Sequence, residues 1–119
     1  MIEPLQISAS GFKLTKKIDS HVRDKIGSLE KYIPKNARES THGDVKLKKH
    51  AKKNVQVVSC EVILHLPKST LTVKETEPTA MAAIDTAESK LKVQLKKYKD
   101  THSVRGLHKR VIRTFKRNI

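Results

Sequence analysis

The run Val55–Leu66 constrains this chain more than any other segment. Val58, Cys60, Val62, Leu64 and Leu66 occupy alternate positions in it. Successive side chains of a strand point to opposite faces, so this spacing predicts a long strand with one apolar face. Such a strand needs neighbours to pair its backbone and a second layer to cover its apolar side. The rest of the sequence supplies both. Leu5, Ile7 and Ala9 alternate with Gln6, Ser8 and Ser10, a half-buried strand closed by Gly11. Val45 and Leu47 alternate with Asp44, Lys46 and Lys48, and Leu71 and Val73 mark a fourth strand. The stretch HAKKN, residues 50–54, reads as the turn before the long strand, and Pro67–Lys68 as the turn after it.

Two helical stripes complete the pattern. Behind Thr15, a candidate N-cap, apolar residues fall at Ile18, Val22, Ile26, Leu29 and Ile33. The spacing predicts an amphipathic helix of about five turns, stopped by Pro34. The polar segment from Lys35 to Gly43 reads as a loop. Pro78–Thr79 opens a second helix with a buried stripe of Ile84, Ala87, Leu91, Leu95 and Tyr98. The fold class is therefore α+β with the order β-α-β-β-β-α. A helix joins the first two strands, which makes them parallel through a right-handed crossover; the other three form an antiparallel meander. Both helices are expected on one face of a four-stranded sheet.

Charge is distributed unevenly along the 119 residues, whose net charge is +14. From Lys90 to Ile119 there are eleven Lys/Arg and one acid, Asp100; the first 89 residues hold fifteen bases and eleven acids. A basic excess gathered on one helix and its tail points to a polyanion, with nucleic acid the leading candidate. Residues 1–100 form the expected domain. Residues 101–119 form a basic tail with a helical period at Val104, Leu107, Val111 and Phe115, expected to order only against a partner. Aromatics are few, namely Phe12, Phe115, Tyr32 and Tyr98, so stacking on many bases is a poor fit and recognition should lean on phosphate charge and shape. The single cysteine, Cys60, suits a reducing compartment, and there is no signal peptide or apolar stretch of bilayer length; a soluble cytoplasmic protein is expected.

Catalytic readings find little support. Cys60 lies on the apolar face of its strand while His65 points to the other, so the pair is no thiol nucleophile and base. The six histidines lack zinc-ligand spacing, and the four glycines are dispersed rather than gathered into a phosphate loop. No enzyme activity, metal, cofactor or small-molecule substrate is expected.

Three stretches together resemble a known family. They are ISASGFKLTKKIDSHVRDKIGSLEKYI, CEVILHLP and MAAIDTAESKLKVQLKKYK, in that order over about residues 5–100. The chain is similar to the short ribosome hibernation-promoting factor and ribosome-associated inhibitor family. That resemblance implies the same β-α-β-β-β-α fold, related in shape to double-stranded RNA-binding domains. It implies a translation inhibitor that binds the small ribosomal subunit, both 16S rRNA and ribosomal proteins, in the channel of messenger and transfer RNA during stress or stationary phase. By position, the rRNA contacts it implies are Lys25 and Lys31 on the first helix and Lys90 and Lys97 on the second. Three departures stand out: Met81 replaces an aromatic common before AAID, Val93 replaces a base, and the tail is basic where some short members are acidic. The C-terminal dimerisation domain of long members is not in this sequence, so the chain is expected to be a monomer that does not join two subunits by itself.

At 100° per residue, Lys90 and Lys97 share one flank of the second helix's stripe, and Lys92, Lys96 and Lys99 the other. Lys90 and Lys97 are preferred for RNA because little acid offsets them. Arg23, Lys49, Lys52, Lys92, Lys96, Arg105, Lys109, Arg110 and Arg113 are additional candidate phosphate contacts. The basic stretch Lys46, Lys48, Lys49, Lys52 and Lys53 suits a phosphate contact and edge protection of the sheet equally. Two rival functions fit the same charge: a general double-stranded RNA binder, and a protein whose basic tail lies on anionic membrane.

Overall fold

Local chemistry sets both helix starts in the computed structural model, which describes Ile2 and residues 4–102. Thr15 Oγ1 accepts from the Ile18 N–H at 3.2 Å and opens α1, Lys16–Lys25. Thr79 Oγ1 accepts from the Ala82 N–H at 3.1 Å ahead of α2, Ala80–His102. Each hydroxyl satisfies a donor that the first helical turn leaves open. The strands are β1 (Leu5–Ser10), β2 (His42–Lys52), β3 (Val55–Leu66) and β4 (Ser69–Glu77), ordered β1-β2-β3-β4 in one sheet. The β1–β2 pair is parallel, with Ile7 opposite Val45; β2–β3 and β3–β4 are antiparallel, with Val62 between Val45 and Val73. The α+β order read from the sequence is the order observed.

The alternation of β3 determines where the core sits. Val58, Cys60, Val62, Leu64 and Leu66 are all buried, beside Val45 and Leu47 of β2 and Val73 of β4. Both helices cover that face: α2 crosses β3 and β4, and α1 lies beside α2 near β1. Ile84, Ala87, Leu91 and Leu95 meet the sheet at full burial. The opposite face carries polar groups, including a chain in which His50 Nε2 lies 2.7 Å from Ser59 Oγ and Ser59 Oγ lies 3.0 Å from Thr76 Oγ1.

Three local expectations change. The first helix does not run to Ile33. It ends at Lys25, and a 3₁₀ segment, Gly27–Tyr32, carries the stripe onward. Gly27 is a poor helix former, and Ser28 Oγ donates to the Lys25 carbonyl at 3.1 Å, a side-chain bond that competes with helix continuation. Ile26, Leu29 and Ile33 stay buried all the same. Second, the polar segment after Pro34 contains another 3₁₀ turn, Lys35–Ser40, and β2 starts at His42. Buried Ala37 anchors it, its carbonyl accepting from Thr41 Oγ1 at 2.7 Å. Third, HAKKN is not all turn. His50, Ala51 and Lys52 pair with Val57, Gln56 and Val55, and the reversal is confined to Lys53 and Asn54, with φ of 52° and 68°. Two positive φ values in a two-residue loop fit the type I′ hairpin, whose twist matches that of the flanking strands.

Gly11 is required where β1 ends. Its φ is +83°, and a Cβ built there would lie 2.5 Å from the Lys49 carbonyl oxygen. Gly11→Ala is expected to cost about 2–3 kcal/mol, since a left-handed residue is strained and the backbone of β2 must also move. A urea denaturation midpoint lowered accordingly, at unchanged slope, checks it.

Candidate nucleic-acid interface

The 3₁₀ segment ends at Tyr32, and its tight turn leaves the ring half-buried at the core's edge. Three lysines gather on this ring. The Lys31 and Lys92 ammonium groups are 5.3 Å from its centroid, and that of Lys96 is 5.7 Å away. Lys92 and Lys96 stand one helical turn apart on the flank of α2 that faces the first helical segment. The negative face of a tyrosine ring attracts ammonium groups at this range, which holds three like charges close together. The Tyr32 hydroxyl is acidified, chiefly by its interaction with the Lys92 side chain; desolvation opposes this, and the charges of Lys31, Lys92 and Lys96 add to it. The ion pairs seen among the described residues, His21–Asp85, Arg23–Asp19 and His65–Asp44, involve none of these three lysines. The result is a compact cationic surface with a phenol at its centre, suited to phosphate oxygens.

The structure brings Lys31, Lys92 and Lys96 together, and the other described candidates lie outside that cluster. Lys90 and Lys97 are exposed on the α2 flank turned away from Tyr32. Lys25 is half-buried at the end of α1. Arg23 is held by Asp19, Nε to Oδ2 at 3.0 Å. Lys49 and Lys52 are exposed on the β2–β3 hairpin. Arg105, Lys109, Arg110 and Arg113 lie outside the described residues, as does nearly all of the tail. Tyr32 escaped the sequence reading because ring and lysines are sixty residues or more apart in part; its one local signal was the neighbour Lys31.

Cys60 and His65 face opposite sides of β3. Cys60 is fully buried, and desolvation pushes its thiol up to about 12, far from the thiolate a nucleophile needs. His65, on the opposite face, stacks on His42 with ring centroids 4.6 Å apart and meets Asp44 Oδ2 at 3.3 Å. Among the described residues no group of three or more His, Cys, Asp or Glu is placed to hold a metal ion. No helix among them is long and apolar enough to cross a membrane.

Known proteins share this architecture. The family described as Sigma 54 modulation protein / S30EA ribosomal protein matches residues 5–103. This chain belongs to that family. A ribosome hibernation promotion factor of Lactococcus lactis subsp. cremoris is 34% identical over 93 residues, 78% of this chain and 48% of the relative. The chain thus spans about half the length of that curated relative. The N-terminal domain of Thermus thermophilus Protein Y superposes with a TM-score of 0.67 at 23% identity, covering 82% of this chain and 99% of that one. A ribosomal subunit interface protein from Coxiella burnetii gives 0.58 at 22% identity, covering 80% and 96%. At those identities the two structures establish a shared fold.

Proposed function

We propose that this chain is a ribosome hibernation factor. It binds the small subunit in the channel of messenger and transfer RNA and keeps idle ribosomes from translating, acting in the cytoplasm by occupancy alone, without cofactor or chemical step. The observation that carries this reading is the cluster of Lys31, Lys92 and Lys96 around Tyr32. It places three positive charges at the junction of the 3₁₀ segment Gly27–Tyr32 and α2, where rRNA phosphates can be gripped. Family membership and the names of its relatives supply the ribosome as the source of those phosphates. Lys25, Lys90 and Lys97 extend the proposed contact around the helices, and the basic tail adds counterion release.

Binding to purified 30S subunits in competition with initiator transfer RNA and message tests this. Saturating tRNA and message are expected to displace the protein. Undiminished binding would remove the channel from the proposal, and equal affinity for free duplex RNA would favour a general RNA binder.

A further inference from the structure

The β2–β3 hairpin reaches beyond the domain it belongs to. β1 pairs with β2 only as far as Lys48, and β4 pairs with β3 only as far as Val58. Past those points three rungs remain, His50 with Val57, Ala51 with Gln56 and Lys52 with Val55, supported by no other strand. At about 3.4 Å per rung this arm projects roughly 10 Å, with the turn added at its tip. Residues 51–56 are all exposed, Val55 to 60%. The core therefore gives no reason for the arm's length, because a turn joining Lys49 to Val58 would close the same sheet and keep Val58 in the core.

The arm's charge is equally one-sided. Between Val45 and Cys60 there are five lysines and no acid. Edge protection alone does not explain them, although past Lys48 and Val58 the arm's own strands have open edges. The true edge strand β1 is Leu-Gln-Ile-Ser-Ala-Ser, with no charged residue, and β4, the other edge, carries one lysine and two glutamates. The lysines concentrate on the inner hairpin instead. One of them, Lys53, occupies a left-handed position in the turn at φ 52°, where Asn or Gly would be favoured. Neither strand pairing nor turn stability selects lysine there.

We propose that the hairpin Lys49–Gln56 is a second RNA-binding element, a basic ribbon that lies against the backbone of an rRNA helix apart from the Tyr32 surface. Side chains alternate along β2, so Lys49 and Lys52 present ammonium groups to opposite sides and Lys53 to the front. A ribbon with cations on both sides and at its tip suits two phosphate strands that border a shallow RNA groove, read by shape rather than by bases. The close approach of Gly11 to the Lys49 carbonyl braces the arm where it leaves the sheet. This inference rests on the ribosome-binding reading above.

The test uses the full chain and purified 30S subunits. Neutralising the arm as Lys49→Gln/Lys52→Gln/Lys53→Gln removes three phosphate contacts. At about 0.9 per contact on a duplex, the slope of log K against log salt should flatten by about 3, with tRNA competition retained. Separately, Ala51→Cys carrying a photo-crosslinker should attach to 16S rRNA; Cys60 is buried and stays unlabelled. An unchanged slope, or crosslinks to ribosomal protein alone, overturns the inference while the protein still binds. Failure of the unmodified chain to bind 30S at all overturns the ribosome reading and this inference with it.

Discussion

Ile84→Asp is expected to leave the protein unfolded. Ile84 is fully buried on the face of α2 that meets the sheet. Removing a buried isoleucine side chain costs about 2–5 kcal/mol. The carboxylate adds several more, whether it stays charged without a partner or takes up a proton in an apolar site. The sum reaches the whole stability of an ordinary small domain, about 5–15 kcal/mol. Loss of the cooperative thermal transition and of native far-UV circular dichroism checks it. Ile84→Val, which removes one methylene, should keep the fold at a cost of about 0.5–1.5 kcal/mol. A folded Ile84→Asp protein would mean that α2 does not seal the core.

The same residue shows why so much of the fold is legible in the sequence. Ile84, Ala87, Leu91 and Leu95 recur at helical spacing, and Val58 to Leu66 at strand spacing. Each element therefore announces its buried face, and a one-residue slip would bury the wrong side chains. Parallel pairing of β1 with β2 follows from the helix between them. What the pattern could not convey was decided by competition over a few residues. Ile26, Leu29 and Ile33 point inward in either an α-helix or a 3₁₀ turn, so their spacing did not reveal that Gly27 and Ser28 tighten the coil. His50 to Lys52 look like turn because they show no apolar alternation, and a free-standing hairpin has no apolar face to declare.

The candidate site was legible only in part, for a tertiary reason. Lysine positions on each helix follow from 100° per residue, and Lys31, Lys92 and Lys96 were all visible as candidates. Their convergence was not. It depends on where the 3₁₀ segment meets α2, and that contact puts the flank of Lys92 and Lys96, rather than that of Lys90 and Lys97, beside Tyr32. Tyr32 stands outside the apolar stripe that the spacing marks, and its ring is half-buried against the core while three ammonium groups gather on it.

Lys92→Glu with Lys96→Glu is expected to weaken 30S binding about a hundredfold while leaving the fold intact. Both side chains lie outside the buried stripe, and the ion pairs among the described residues involve neither of them. In a water-like medium a charge pair at contact is worth about 1 kcal/mol, so each reversal exchanges that attraction for a similar repulsion. Two reversals give roughly 4 kcal/mol before salt, and screening at physiological ionic strength leaves the hundredfold loss. Lys31 then faces two carboxylates, which would neutralise it and dismantle the cationic surface altogether. The matched reversal Lys90→Glu with Lys97→Glu changes net charge equally on the opposite flank. General electrostatic attraction would make the two double variants equally weak, whereas a grip centred on Tyr32 makes the first markedly weaker. Filter binding at two salt concentrations, with thermal melts to confirm folding, separates these outcomes; equal loss in both would move the contact from the Tyr32 surface to α2 as a whole.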